Sequence, residues 1–242
     1  MNKRKIAAAI LSISMVLSGI PGSVLPVHAQ AENSQVLQVD LSENTGAVQH
    51  GATGFLYGLG HENIPSETSL SALNPKTTVQ KPTGGTQHPG GAFDQVADMF
   101  FRSGGKQMQV YLQDWYPNWP YPYDLENYKA LVTSLIPIVQ STREEMREKY
   151  GDDIEFVYVL FNEPDWIWYG SSGSKLTKFL NDWDVIYDLT KELDPEALVI
   201  GPGISNYNKN MMTSFITHCA ETNRMPNIIS WPELQADEFY TS

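Results

Sequence analysis

EFVYVLFNEPDWIWY, residues 155–169, carries after Glu155 six consecutive strand-forming apolar and aromatic side chains, Phe156 to Phe161, and then an acid, a proline and three large aromatic rings. A short unbroken apolar run suits a strand covered on both faces, which is the habit of parallel sheets. Helical stripes flank it. Upstream, Tyr128, Leu131, Val132, Leu135, Ile138 and Val139 recur at spacings of three and one. Downstream, Leu176, Phe179, Leu180, Trp183, Ile186, Tyr187 and Leu193 repeat the pattern until Asp194-Pro195 ends it.

Working outward, the same strand-then-helix alternation recurs. Phe55–Leu59, Thr77–Gln80, Met108–Leu112, Leu198–Ile200 and Ile228–Trp231 read as further strands. Ser66 is a good N-cap for a brief helix to Leu73; Phe93, Val96, Ala97, Phe100 and Phe101 share one helical face that Gly104-Gly105 terminates. Tyr207, Met211, Met212, Phe215, Ile216 and Cys219 form the last helical stripe, and Arg143–Asp153 reads as a solvated helix end running into a turn at Gly151. Six strands alternating with helices call for right-handed crossovers and a parallel sheet, hence an α/β fold. Ala52 to Ser242 devotes about 32 residues to each unit, so eight units would need about 255, close to the roughly 250 of a (β/α)8 TIM barrel. The expectation is a TIM barrel that stops after about six β/α units. The alternative is an open doubly wound sheet, against which stands the lack of a Gly-rich phosphate loop at any strand-to-helix turn.

The N-terminus is read apart from the fold. Lys3, Arg4 and Lys5 precede an apolar stretch from Ile6 to Val16, and small-x-small sites follow at Ala29 and Ala31. This is the pattern of a secretory signal peptide, with an apolar core shorter than the roughly 20 residues a membrane span needs. The expected organisation is a signal peptide over 1–31, a leading strand (Val36–Asp40) and linker over 32–51, and the incomplete barrel over 52–242. Removing the leader leaves 13 Lys+Arg against 28 Asp+Glu, a net charge near −15, which disfavours nucleic acid as a partner. The lone Cys219 builds no internal disulfide and reads as a buried, inert thiol. His50, His88 and His218 show no metal-ligand spacing, and no Ser or Cys sits in a nucleophile-elbow context. Neither metal nor cofactor is expected.

Glu163 falls just past the C-terminal end of the fourth strand, the face on which barrels carry their sites. Set among Trp166, Trp168 and Tyr169, it is poorly hydrated, so its pKa is expected to rise toward the range of a proton donor near neutrality. Indole and phenol faces also suit the C–H faces of sugar rings. The loop Asp114–Tyr123 carries five aromatic rings among three prolines. There Trp115 and Trp119 are the expected sugar contacts, and Asp114 is placed either to bond a hydroxyl or to cap a turn. His61, after the first strand, is a further candidate contact.

Asn162-Glu163-Pro164 at this place in the strand order resembles the acid/base signature of the clan of retaining glycoside hydrolases built on α/β barrels. Tyr57-Gly58 on the first strand is similar to members related to family 39 β-xylosidases. The resemblance implies a secreted glycosidase acting on plant-type or other poly- and oligosaccharides, with Glu163 as general acid/base and Asn162 bonding the sugar 2-hydroxyl. In that clan a second carboxylate, from the end of strand seven, is the nucleophile. No strand seven is legible here, so the chain alone is expected to be inactive or nearly so. Glu233, after strand six, is the possible second carboxylate. The rival reading is a secreted, non-catalytic glycan-binding protein on a degenerate barrel.

Overall fold

The computed structural model describes residues 53–85 and 90–232, together with Ser42 and Gly46. The leader, the Val36–Asp40 strand, His50, His88 and Glu233 lie outside the described residues. The described elements follow one another as β1 (Gly54–Leu56), α1 (Glu67–Leu73), β2 (Thr77–Gln80), α2 (Phe93–Arg102), β3 (Gln107–Tyr111), α3 (Leu125–Tyr150), β4 (Glu155–Val159), α4 (Pro164–Ile167), α5 (Gly173–Leu193), β5 (Leu198–Pro202), α6 (Lys209–Thr222) and β6 (Ile228–Ser230). A 3-10 turn, Leu112–Trp115, follows β3 directly.

All six strands are parallel and pair in unbroken sequence order. A doubly wound sheet reverses direction at a switch point. This sheet has none, so its winding is that of a barrel wall.

Two apolar layers lie on opposite faces of the sheet, as strand alternation requires. Met108, Val110, Phe156, Tyr158 and Val199 belong to the large cluster shared with the helices, whereas Val157, Val159 and Ile200 form a second cluster with Tyr111, Leu198 and Ile228. Three aromatic side chains of α2, Phe93, Phe100 and Phe101, are buried in the first layer, each contributing on the order of 1.5–3 kcal/mol. Trp183 of α5 packs so close to β5 that a Cβ on Gly201 would lie 2.4 Å from its ring. Glycine is the residue that admits this approach.

Local signals account for most helix ends. Ser66 caps α1 by accepting from the Ser69 N–H, Asp124 caps α3 through Asn127, and Asn208 caps α6 through Met211. Packing overrides the pattern in three places. Ile138 is exposed, although it falls near the apolar stripe of α3. Tyr207 precedes α6 and is exposed, its ring meeting Trp231 at 5.4 Å. Arg143, expected on a solvated helix end, is buried against Asp194, which binds it through two hydrogen bonds of 2.7 and 3.0 Å.

Cys219 is buried on α6, and burial pushes its thiol up to about 12, with the nearby Asp184 charge adding to the shift. The native protein is therefore expected to leave the thiol unmodified by a disulfide reagent at pH 8. One equivalent should react only after denaturation, as read from the absorbance of the released thiolate.

Candidate active site

Regular strand geometry ends at Val159. Leu160 and Phe161 are both buried in the helix-side cluster, so the strict alternation of sides has already lapsed. Phe161 anchors the segment among Tyr128, Phe179 and Trp183, at ring-centroid distances of 5.7, 5.4 and 6.3 Å. Asn162 and Glu163 follow, released from the constraint that strand neighbours face opposite ways.

Glu163 adopts the left-handed conformation, φ 46° and ψ 52°, which costs a non-glycine residue roughly 1–2 kcal/mol. The proline that follows disfavours the right-handed helical region at this position, and Pro164 itself opens α4. The Glu163 N–H donates to the Gly203 carbonyl at 2.9 Å, while its own carbonyl accepts from Trp166 and Ile167. Gly203, at φ +67°, could not carry a side chain there, since a Cβ would sit 2.6 Å from the Phe161 oxygen. Its N–H donates to the Ser230 carbonyl, so the ends of β4, β5 and β6 are laced together beneath the acid.

The Glu163 side chain is half-buried, and its carboxyl accepts no hydrogen bond among the described residues. Burial raises its pKa above the ordinary glutamate value, and the charge of Asp165 raises it further. This is the direction expected from the sequence. Tyr111, at the end of β3, feels the charge of Glu163 in turn: burial and that charge push its phenol up to about 12.

Asn162 sits beside a second buried acid. Its N–H donates to the Gln113 Oε1 at 2.7 Å, and its side chain lies near enough to Asp114 to favour that acid's charged form. Asp114 is buried in the 3-10 turn, with the Tyr57 hydroxyl on Oδ2 and the Tyr121 hydroxyl on Oδ1. Burial pushes its carboxyl up to about 6, against the opposing effect of the bonds from Tyr121 and Asn162. A raised folded-state pKa means that this group contributes stability fully present below the unfolded value near 3.9 and lost as pH rises through about 6. Tyr121→Phe removes a donor to the charged form and is expected to lift the Asp114 midpoint above about 6, as followed by carboxyl carbon NMR over a pH series.

The predicted aromatic contacts separate into two groups. Trp119 and Trp166 are 41% and 53% exposed, and their rings meet edge-on at 4.7 Å, joining the loop after β3 to α4. Trp168 is turned inward: its Nε1 donates to the Tyr121 carbonyl, and Tyr123 and Tyr128 pack edge-on against it. Trp115, 37% exposed, lines a hollow of about 390 Å³ with Tyr116, Asn127, Ala130, Leu131 and Ser134. That hollow lies against α3, and neither Glu163 nor Asn162 lines it. His61 is exposed, bridged to Ile64 and lying close to Gly90. Asp182 of α5 ties down the base of the aromatic loop, accepting from Tyr123, Tyr169 and Lys178 at 2.6, 2.8 and 2.8 Å.

The structure therefore brings Asn162, the neighbour of Glu163, beside Asp114, sets Trp119 and Trp166 as an exposed pair, and gives Trp168 and Trp115 other surroundings. Gln113, Tyr121, Asp165 and Ser205, which the sequence reading did not name as site residues, hydrogen-bond to Asn162, Asp114 or one another around this turn. Asp165 alone carried a signal, as a second acid one residue beyond a Glu-Pro turn. Among the described residues no cluster of His, Cys, Asp or Glu could hold a metal ion, and no helix is long and apolar enough to cross a membrane.

No family model matches the chain. It is 31% identical, over 94% of its length, to a 3-O-alpha-D-galactosyl-alpha-L-arabinofuranosidase of Bifidobacterium longum subsp. longum, and 28% identical, over 96%, to a 3-O-beta-L-arabinopyranosyl-alpha-L-arabinofuranosidase of Bifidobacterium pseudocatenulatum. A solved structure, N2152 from Neocallimastix frontalis, matches 76% of this chain and 44% of its own length with a TM-score of 0.60 and 31% identity. The chain spans about a quarter of the length of the curated relatives it matches, which are glycosidases by name.

Proposed function

We propose that this chain is the acid/base-bearing portion of a secreted, retaining glycoside hydrolase that cleaves α-L-arabinofuranosidic bonds. The observation that carries the reading is Glu163. A half-buried carboxyl with a raised pKa stands at the C-terminal end of β4 in a sheet wound as a barrel wall, and the similarity to two arabinofuranosidases spans it. Glu163 protonates the leaving glycosidic oxygen and then activates water, while Asn162 bonds the sugar 2-hydroxyl. Trp119 and Trp166 offer ring faces to the sugars beyond the scissile bond, and His61 and Asp114 border the same end of the sheet.

A retaining mechanism needs a second carboxylate about 5 Å from the first, to attack the anomeric carbon. We assign it to a strand later than β6 in the barrel order, which the described residues do not include, so the chain by itself turns over glycosides slowly. Fluorogenic aryl α-L-arabinofuranosides, β-xylosides and β-galactosides test this. The expected result is slow, arabinofuranoside-selective release that depends on Glu163. Rapid turnover abolished by Glu233→Gln would move the nucleophile into this chain. Binding of arabino-oligosaccharides without any turnover, unaffected by Glu163→Gln, would favour the rival reading as a glycan-binding protein, to which the exposed Trp119–Trp166 pair is equally suited.

A further inference from the structure

The carboxyl of Glu163 points where its backbone aims it, because no hydrogen bond holds the side chain itself. What holds that backbone is therefore part of the site. One tether is the Glu163 N–H on the Gly203 carbonyl. The other lies two residues on: Asp165 Oδ1 accepts the Ser205 N–H at 2.8 Å, and Oδ2 accepts the Ser205 hydroxyl at 2.7 Å. An acid in the first turn of a helix ordinarily serves that helix's own free N–H groups. Asp165 instead spends both oxygens on a residue of the loop after β5, across 40 positions of sequence. The four-residue α4 has too little of its own hydrogen bonding to keep a left-handed residue at its entrance.

We propose that Asp165 is the positioning residue for Glu163: by gripping both polar groups of Ser205 it locks the β4–α4 turn to the β5–α6 loop and so sets the direction of the carboxyl. This rests on the reading of Glu163 as the acid/base. The same carboxylate also places a negative charge beside Glu163. Tyr111, from β3, feels the charge of Glu163, and Asp114, across Asn162, is engaged by Tyr57 and Tyr121.

The two effects separate by substitution. Asp165→Asn keeps an acceptor for the Ser205 N–H and an amide that can donate to its hydroxyl, but removes the charge. Asp165→Ala removes both. In Asp165→Ala the Glu163 amide is expected to exchange its hydrogen at least about tenfold faster, and kcat on the fluorogenic arabinofuranoside to fall about tenfold at nearly constant KM. In Asp165→Asn both should stay within about twofold, while the alkaline limb of the pH profile moves to lower pH, because the charge that favoured protonated Glu163 is gone. Ser205→Ala should loosen the amide without moving the limb. Equal amide exchange in Asp165→Ala and Asp165→Asn, with melting showing both folded, overturns the proposal, and that result needs no turnover. Unchanged hydrolysis in Glu163→Gln would instead remove the acid/base reading and leave the exchange result to decide the grip.

Discussion

Glu163→Gln is expected to lower the hydrolysis of a fluorogenic aryl arabinofuranoside by roughly 10²–10⁴-fold, the usual contribution of a positioned general acid/base. The amide keeps the volume and the backbone of the turn but can neither give up a proton to the leaving oxygen nor take one from water. Where the nucleophile is supplied as well, so that a glycosyl-enzyme forms, a small anion such as azide should restore part of the rate by replacing the activated water. It should do so most clearly with a phenol that departs without protonation. The wild-type alkaline limb should lie above the ordinary glutamate range, since burial and the charge of Asp165 both favour the protonated acid. A variant that retained the wild-type rate at every pH would exclude Glu163 as the proton donor.

Asp194→Ala should be the most destabilising single substitution outside the apolar core, at about 3–5 kcal/mol by chemical denaturation, because it strands a buried guanidinium. Asp194 is 1% exposed and accepts from Nη1 and Nη2 of Arg143 and from the Tyr158 hydroxyl. Burial alone would raise its pKa, but the bonds from Arg143 and Tyr158 outweigh that and hold the carboxyl below the usual aspartate range. Its linkage therefore runs opposite to that of Asp114. A depressed folded-state pKa contributes stability that is present above the unfolded value near 3.9 and lost as pH falls through the lower folded value. Arg143→Met with Asp194→Leu should recover much of the loss, since replacing both charges leaves nothing stranded. An unchanged denaturation midpoint in Asp194→Ala would mean that the pair contributes nothing to folding.

The order of elements was legible because it rests on short-range rules. The apolar run from Phe156 to Phe161 and the stripes on either side of it reflect periodicities that a strand and a helix impose within a few residues. Ser66 was readable as a cap because its bond reaches only to Ser69. The position of Glu163 at the end of the fourth strand was readable because the apolar run and the proline fix where the chain leaves the sheet. Trp168 was not: whether its ring faces a ligand or the core depends on Tyr121 and Tyr128, 47 and 40 positions upstream, and the sequence around it is the same in either case. Arg143 and Tyr207 were misplaced for the same reason. A solvated helix end and a buried ion pair can share one charge pattern until Asp194 arrives from another loop.

Local chemistry in the chain thus determined an alternation of strands and helices and an acid at the end of the fourth strand. The tertiary structure decided that the strands pair in unbroken order, that Asp114 lies buried beneath two phenols, and that Ser205 grips the turn carrying Glu163. Periodicity and caps act over one or two turns of chain, whereas burial and the carboxylate contacts that shape this site join loops tens of residues apart.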